Sequence, residues 1–535
     1  MGYNSTWFKP GRQTQWAITV NCLNAFFLFG YDQGVFGGLI SNPDFLEVVK
    51  HPSEAFLGFI GASDGFGRCL QPGLPVWMSS EFFVGSGIGR RPTLWLAMLL
   101  ISAGLFYKLH PSELTTQVDS ADDLRADCHR LRFSFQIQSR HIERQRLTTP
   151  CTGVGIDTST VPMYQAELCK SHVRGRLVTT EVLFTALGIA VAYFFAFGMN
   201  FVGGAVAWRL PIAAQILPAV IISIVLFGLP ETPRWLIERG RIEEATQVMC
   251  QVYGTGPEDE YIVAEKAAII EALEIENANP FRWTHVLRKD RVQTGWRVWL
   301  AVLALTFNQW SGINVIVFYI GTVLEVNVGL PRSTALVAGG CMNLAFAVGS
   351  LVPAVYLDRI GRRNPMIYGT IGLGLCLMVI SILLSYQGTS SEAVTSKVSI
   401  AFSHWLYMLI YGTSLNAIPW CYAPEILPLK ARAKGTSLAV MMYWVWSFTI
   451  VMVTPTMITN IRWKTYVVFM ACNFAIAPAI YFLFPETARL SLEEIDNIFI
   501  KDTVSIISSR NLMDTELRTS TSAKHTKAME TEHIE

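Results

Sequence analysis

Long apolar runs separated by short polar segments are the dominant pattern of this chain. A stretch of about 20 apolar residues is long enough to cross the hydrocarbon core of a bilayer as a helix. Scanned with such a window, the sequence predicts spans near residues 16–40, 92–107, 177–199, 212–229, 298–324, 335–357, 366–384, 400–420, 437–459 and 466–484. The pattern predicts an all-α, multi-pass membrane protein, nominally with 12 spans if two halves are equal.

A short motif behind two of these runs indicates an internal repeat. Leu229-Pro230-Glu231-Thr232 recurs as Phe484-Pro485-Glu486-Thr487, an offset of 255 residues. Repeated motifs at the ends of membrane spans are typical of transporters built from two related halves. We therefore expect a cytoplasmic N-terminus at 1–15, a first half at 16–230, a cytoplasmic helical linker at 231–297, a second half at 298–485 and a partly disordered tail at 486–535.

Basic residues occupy alternate loops and predict the orientation. Cytoplasmic loops carry an excess of Lys and Arg. The basic loop positions are 90 and 91, 170–176, 234–297, 359–363 and 430–434. Both termini are therefore expected in the cytoplasm, and we expect a plasma-membrane location.

The first half is locally aberrant. Glu167 and Glu425 are 258 residues apart, whereas Arg90 and Arg362 are 272 apart, so about 15 extra residues lie between Arg91 and Glu167. The surplus falls at about 108–147, whose charges cannot enter a bilayer at roughly 2.5–3.5 kcal/mol each. Two interpretations stay open: a regulatory loop, or a mispredicted exon boundary or retained intron, which we favour. The stretch 55–84, interrupted by charges and prolines, suggests a similar local fault.

Composition agrees with a membrane protein and excludes other classes. Hydrophobic residues make up 51% and charged residues 16%, which is more apolar surface than a soluble protein buries. The net charge of +1 gives no argument for a nucleic-acid partner, and the ten cysteines show neither a disulfide nor a metal-ligand spacing. No nucleophile constellation, metal site or phosphate loop stands out. We expect no enzyme activity and no cofactor, with a proton as the coupling ion.

Several motifs together resemble the sugar porter branch of the major facilitator superfamily, and specifically its fungal members. They are Gly30-Tyr31-Asp32-Gln33, Gly89-Arg90-Arg91, Asp358-Arg359-Ile360-Gly361-Arg362-Arg363, the segments 162–167 and 419–425, and Asn308-Gln309-Trp310-Ser311-Gly312-Ile313-Asn314. The resemblance implies the major facilitator superfamily fold, two six-helix halves, and transport by alternating access.

A sugar site inside a membrane needs amides and an aromatic surface. Amides donate and accept without a charge to desolvate, and Asn308, Gln309 and Asn314 fall on one predicted helix, where Gln309 and Asn314 can share a face. The resemblance implies sugar binding by this motif and by Trp420, with Trp444 as a second aromatic wall; Asn343 is a weaker candidate. Interhelical amide bonds, and core or interfacial roles for the tryptophans, are the alternatives.

Proton coupling requires a carboxylate whose buried charge is costly unless neutralised. By resemblance this residue is Asp32. Its arginine partner in proton-coupled relatives corresponds to Leu147, and Arg146 is displaced by one position. Val182 stands where hexose-specific relatives often carry glutamine, so hexose specificity is not carried over.

Charged residues at the predicted cytoplasmic ends are candidates for a gate that closes the pathway; plain topology charges are the alternative. The candidate gate residues are Arg90, Arg91, Glu167, Arg174, Glu231, Asp358, Arg362, Arg363, Glu425, Arg432 and Glu486.

The sequence therefore predicts a proton-coupled symporter for a monosaccharide or polyol. An uncoupled facilitator and a nutrient sensor or non-transporting product are the alternatives. Inositol, quinate, pentoses and disaccharides are all compatible with the motifs, and the oligomeric state is not predicted.

Overall fold

The computed structural model describes residues 7–39, 42, 44, 47, 88–109, 153–170, 173–278, 290–386, 394–488, 490 and 492–500. These residues form α-helices with short 3-10 and π turns, and they contain no strand. In chain order the helices are α1 Arg12–Leu39, α2 Arg90–Leu109, α3 153–168, α4 Arg174–Asn200, α5 Gly204–Ala214, α6 Ile216–Phe227, α7 Pro233–Glu238, α8 Ile242–Tyr253, α9 Glu260–Ala278, α10 Thr294–Trp310, α11 Ile313–Thr322, α12 Arg332–Ile360, α13 Arg363–Ser385, α14 Val394–Thr413, α15 Ile418–Ile426, α16 Arg432–Ile461, α17 Lys464–Leu483 and α18 Leu492–Ile500.

Seven helical segments of the described residues are long and apolar enough to cross a membrane. They lie at 175–200, 204–227, 294–325, 332–360, 363–385, 434–461 and 464–483. The helical prediction is confirmed for these runs. The predicted insert beyond residue 109, the stretch 55–84 and the tail from 501 lie outside the described residues, and the domain limits stay predictions.

Three predicted spans are broken helices, which the apolar pattern did not indicate. Gln215 separates α5 from α6, residues 311–312 separate α10 from α11, and residues 414–417 separate α14 from α15. The expectation that Gln309 and Asn314 lie on one continuous helix is wrong. Gly312 has a φ of 96°, a conformation that an interior helical residue does not adopt and that glycine adopts at little cost.

Glycines allow the two main helices of the first half to approach closely. A Cβ on Gly30 would lie 1.9 Å from the Thr185 carbonyl oxygen, and one on Gly188 would lie 2.3 Å from that of Phe27. Small residues at helix crossings let backbones touch where lipid gives no hydrophobic driving force between helices. Helices α1 and α4 therefore pack as one unit.

The two halves meet through α4 and α12, through α1 and α11, and through α4 and α15. At the end of the bundle opposite α7–α9, here called the far end, Tyr193 of α4 fits against Gly37 and Gly339. Its hydroxyl donates to the Val317 carbonyl at 2.7 Å. Tyr193 thereby joins the two halves at the far end.

The opposite end, here called the linker end, carries the polar helices α7–α9 and the C-terminal helix α18. Gly11 donates its backbone N–H to the Gln251 carbonyl at 2.7 Å, which attaches the start of α1 to α8. Arg297, 1% exposed, pairs with Asp496 of α18 and lies under the Phe499 ring. The helix α18 is thereby tied to α10.

Candidate transport site and gate

The helix break between α10 and α11 creates the amide site. The carbonyl of Ser311, at the break, accepts hydrogen bonds from the Tyr407 hydroxyl at 2.9 Å and from the Asn473 amide at 2.8 Å. A Cβ on Gly312 would lie 3.0 Å from the Phe469 ring. The break is therefore fixed by neighbouring helices, and it turns the side chains on its two sides toward each other.

Gln309 and Asn314 are brought together across this break. The Asn314 amide donates to Gln309 Oε1 at 2.6 Å and to Ser447 Oγ at 3.1 Å. Gln309 is 0% exposed, and its Nε2 has no hydrogen-bond partner within the described part of the chain. A buried donor without a partner costs about 1–3 kcal/mol. A hydroxyl-bearing ligand at this position would satisfy it.

Asn308 is engaged in helix packing, and Asn343 bonds within its own helix. Asn308 donates to the Leu415 carbonyl at 2.6 Å and accepts from Tyr411 at 3.0 Å, so its two polar ends hold α10 against α14 and the segment that follows it. This matches the interhelical alternative stated above. Asn343 donates to the Gly339 carbonyl one turn earlier at 2.9 Å, and its Oδ1 is without a partner in the ranges described.

Aromatic side chains form a row that crosses from the second half to the first. Trp420 contacts Tyr443 edge-on with ring centroids 4.9 Å apart, Tyr443 contacts Trp444 at 4.9 Å, and Trp444 contacts Phe29 at 5.8 Å. Trp420 is half-buried, whereas Trp444 is 3% exposed and packs with first-half residues. The sequence interpretation missed Tyr443, although the run Tyr443-Trp444-Val445-Trp446 was a visible signal.

Asp32, the predicted coupling carboxylate, is buried on α1 at 4% exposure. The helix α1 contacts both α4 of its own half and α11 of the other. Positions 146 and 147, where the sequence places its arginine partner, lie outside the described residues.

The gate residues form two matching cradles at the linker end. Glu231 accepts from the backbone N–H of Arg90 at 3.0 Å and of Arg91 at 3.1 Å. In the second half, Glu486 accepts from the backbone N–H of Arg362 at 2.8 Å and of Arg363 at 3.0 Å. Each carboxylate is thus held by the first turn of the helix, where N–H groups lack internal partners.

A glycine makes room for each carboxylate. Gly89 and Gly361 have φ values of 108° and 89°. A Cβ on Gly89 would lie 2.5 Å from Glu231 Oε2, and one on Gly361 would lie 2.7 Å from Glu486 Oε2. Only glycine permits both the backbone conformation and the approach of the carboxylate.

Arginine side chains add ion pairs to both cradles. Arg90 pairs with Glu167 at 3.2 Å. Arg362 pairs with Glu425 through two nitrogens, at 3.0 and 3.2 Å, and with Asp358 at 3.1 Å. A forked arginine–carboxylate contact is stronger than a single contact.

The remaining arginines of the predicted gate mainly bind carbonyl groups. Arg91 donates to the carbonyls of Leu226 and Phe227 at 2.9 and 2.7 Å, and Arg363 donates to that of Tyr481. Arg432 donates to the Leu427 carbonyl at 3.5 Å. Arg174 begins α4, but its side chain is outside the described residues.

Two tyrosines that the sequence interpretation missed complete the arrangement. Tyr164 donates to the Pro230 carbonyl at 2.7 Å, and Tyr422 donates to the Pro485 carbonyl at 3.0 Å. They precede Glu167 and Glu425 by three residues each and share the 258-residue offset, which was the signal that identifies them.

The two cradles also differ in a threonine contact. In the second half Thr487 Oγ1 donates to Glu425 Oε2 at 2.8 Å. In the first half the corresponding atoms, Thr232 Oγ1 and Glu167 Oε2, are buried and have no partner among the residues described. Together with the single contact between Arg90 and Glu167, this leaves the first-half network with fewer side-chain contacts than the second.

Burial raises the pKa of the Glu231 carboxyl above its ordinary value, while the backbone N–H groups of Thr232, Arg91 and Arg90 and the charge of Arg90 act in the opposite direction. Desolvation disfavours the charged form, and hydrogen bonds to the carboxylate favour it.

A helical membrane bundle with duplicated charged cradles and broken helices around buried amides is typical of a transporter of the major facilitator type. Residues 151–499 match the model of the family described as sugar (and other) transporter. The MFS-type transporter oryC of Aspergillus oryzae is 32% identical over 495 residues, which cover 91% of this chain and 86% of that protein. The chain belongs to this sugar transporter family.

Two further comparisons agree. The sugar transporter STL1 of Saccharomyces cerevisiae is 28% identical over 500 residues, covering 93% of this chain and 83% of that protein. The structure of the proton:xylose symporter XylE bound to 6-bromo-6-deoxy-D-glucose gives a TM-score of 0.71 at 20% identity, covering 91% of this chain and 99% of that one. The predicted fold and family are confirmed, and because such relatives are transporters, so is the prediction that the chain is not an enzyme.

Proposed function

We propose that this protein moves a monosaccharide or polyol across the plasma membrane by alternating access, coupled to protons, with both termini and the linker in the cytoplasm. The observation that carries the proposal is the buried Gln309 amide, whose Nε2 has no partner among the described residues and which faces Asn314 across a helix break.

Sugar recognition follows from the chemistry of this site. Gln309 Nε2 donates to a sugar hydroxyl, and the Asn314–Ser447 pair accepts and donates beside it. Trp420 is half-buried and offers an apolar ring to the face of the sugar. Asn308 acts by fixing α10, and Trp444 by closing the row of aromatic rings toward Phe29.

Closure of the linker end completes the cycle. The cradles of Glu231 and Glu486 fix the ends of α2 and α13, and the pairs Arg90–Glu167 and Arg362–Glu425 fix α3 and α15 to them. At the far end, Tyr193 donates to the Val317 carbonyl and joins the two halves, and this contact has to break for the pathway to open there.

The coupling ion is assigned to Asp32. A carboxylate at 4% exposure inside a membrane bundle is costly when charged. Protonation from one side, followed by release on the other, biases the same equilibrium that the sugar biases. An uncoupled facilitator with the same sugar site is the second candidate.

Uptake of labelled sugars and polyols into cells that lack their own carriers tests the proposal. We expect accumulation of at least one compound, collapse of the gradient by a protonophore, and reduced uptake at low sugar concentration in Gln309→Ala and Trp420→Ala. Gln247→Ala, at an exposed position on α8, is the matched control. Accumulation that a protonophore does not change would favour the facilitator, and unchanged uptake in both site variants would contradict the sugar site.

A further inference from the structure

Two carboxyl groups in the first half are buried and play no part in the sites described above. Asp157 on α3 is 2% exposed, and Glu181 on α4 is 0% exposed. Three oxygens of the pair, Asp157 Oδ1 and both of Glu181, have no hydrogen-bond partner in the part of the chain that the structure describes. Buried polar groups in folded proteins are almost always satisfied, so these oxygens require an explanation.

The two groups act on each other. Asp157 and Glu181 lie within electrostatic range of one another. Among the described residues, the other titratable groups in range are thiols: Cys22 on α1 interacts electrostatically with both carboxyls, and Cys421 on α15 interacts with Glu181. The described groups acting on the two carboxyls include no arginine, lysine or histidine.

Two unpaired carboxylates in such a place cannot both remain charged. A carboxylate at the centre of a bilayer costs roughly 2.5–3.5 kcal/mol, and two like charges within electrostatic range of each other add a repulsion. A proton on one carboxyl removes that charge and converts an acceptor into a donor for the neighbouring oxygen. A proton is the cation that we assign here, because it neutralises one carboxyl and gives that group a hydrogen to donate, which is what oxygens without a donor require.

We propose that Asp157 and Glu181 form a second proton-binding site of this transporter, separate from Asp32. A carboxylate oxygen takes a proton from water when the cavity is open on one side. The resulting O–H group donates to the other carboxyl while the site is buried. The proton returns to water when the cavity opens on the opposite side.

The position of Glu181 connects this site to the movement of the halves. Helix α4 contacts both α12 and α15 of the second half, and α15 carries Trp420 next to Cys421. An ionised Glu181 between the halves has to keep water around it, which holds the halves apart, whereas the neutral acid allows them to close. Protonation therefore favours the state in which the sugar is enclosed. This step rests on the proposed function.

The first test measures proton movement with the full-length protein in liposomes. In the Asp32→Asn background, we expect addition of sugar outside to drive residual entry of protons through the second site, read by a pH-sensitive dye inside. An absence of proton entry in this background would overturn the second site. We expect Glu181→Gln and Asp157→Asn to abolish this signal while sugar exchange at equal concentrations continues. Glu243→Gln, at an exposed position on α8, is the control that leaves both unchanged.

The second test does not depend on transport. The infrared carbonyl stretch of a protonated carboxylic acid is followed as the pH of purified Asp32→Asn protein is raised. We expect a band that persists at neutral pH, disappears in Glu181→Gln and returns at a shifted position in Glu181→Asp.

The outcomes separate the two proposals. Sugar transport with proton entry unchanged in both variants overturns the second site and leaves the proposed function intact. An absent infrared band, or a sodium gradient that replaces the proton gradient, also overturns it. Wild-type protein that moves no sugar contradicts the proposed function, and the infrared band then still decides the proton site.

Discussion

Gln309 illustrates what single residues in this protein do. Its side chain is enclosed, one end of its amide is held by Asn314, and the other end is without a partner in the described residues. Asn308, the preceding residue, has both ends of its amide occupied, one by Tyr411 of α14 and the other by the Leu415 carbonyl just beyond that helix. Sequence alone grouped the two as equivalent sugar ligands, because the pattern of amides does not reveal which hydrogen bonds the fold has already taken.

Gln309→Ala is expected to raise the sugar concentration needed for half-maximal uptake about tenfold, since a lost hydrogen bond of about 1.4 kcal/mol corresponds to that factor. Initial uptake rates over a range of sugar concentrations measure the effect. Gln247→Ala, outside the bundle core, is expected to match wild type. An equal loss of uptake in both variants would indicate reduced expression of the protein and would contradict a specific effect at the sugar site.

Glu231 gives a pH-dependent contribution to stability. Because burial raises its pKa in the folded state, the folded protein binds this proton more tightly than the unfolded chain. The contribution is present below the ordinary carboxyl pKa and is lost as pH rises through the raised value. Thermal unfolding in detergent across mildly acidic pH should show this loss in wild type and a reduced loss in Glu231→Gln. Identical pH profiles in the two proteins would contradict the assignment.

At the scale of elements, the apolar pattern predicted where helices run but not where they break. The runs at 298–324 and 400–420 each form two helices. In the first of these runs, Gly312 turns the backbone and the carbonyl of Ser311 accepts from Tyr407 and Asn473 of other helices. Partners distant in sequence are invisible to a window of 20 residues. The charged residues at the linker end could be predicted as matched pairs from the sequence, since the repeat aligns Glu231 with Glu486 and Glu167 with Glu425.

The glycine turns before α2 and α13 are expected to be intolerant of any side chain. Gly89→Ala and Gly361→Ala each place a Cβ in a left-handed conformation, at about 1–2 kcal/mol, and displace the carboxylate beside it. Both variants should lower the free energy of unfolding by at least this amount. Gly198→Ala, in α4 with no atom within 4 Å of the added Cβ, is the control and should be neutral or stabilising. Wild-type stability in both turn variants would show that the cradles are dispensable.

The whole molecule is two bundles that touch most closely through α4 and α12. The Tyr193 ring fills the space between Gly37 of the first half and Gly339 of the second. The contact between the halves therefore requires a residue without a side chain on both sides of the Tyr193 ring. A side chain added at either glycine leaves the ring no room in its present position.

Gly339→Ala is expected to open the far end. An added Cβ would lie 2.9 Å from the Tyr193 ring, so the ring and the hydroxyl bond to Val317 have to move. Spin labels on the far ends of α4 and α12 should report a longer distance than in wild type, and sugar accumulation should fall. Gly175→Ala, whose added Cβ meets nothing within 4 Å, should leave the distance unchanged. An unchanged distance in Gly339→Ala would contradict this prediction, because it would show that the Tyr193 ring moves aside without separating the two halves.

The cradles of Glu231 and Glu486 are built largely from main-chain amides, and this has a consequence for mutational surveys. Replacing Arg90 or Arg362 by alanine removes the side-chain ion pairs but leaves the backbone N–H groups that hold the carboxylate. An alanine scan therefore measures only the side-chain part of what these residues contribute. Prolines at these positions would delete the donors themselves. A comparison of alanine and proline replacements would therefore separate the contribution of the backbone hydrogen bond from that of the side-chain ion pair at the same residue.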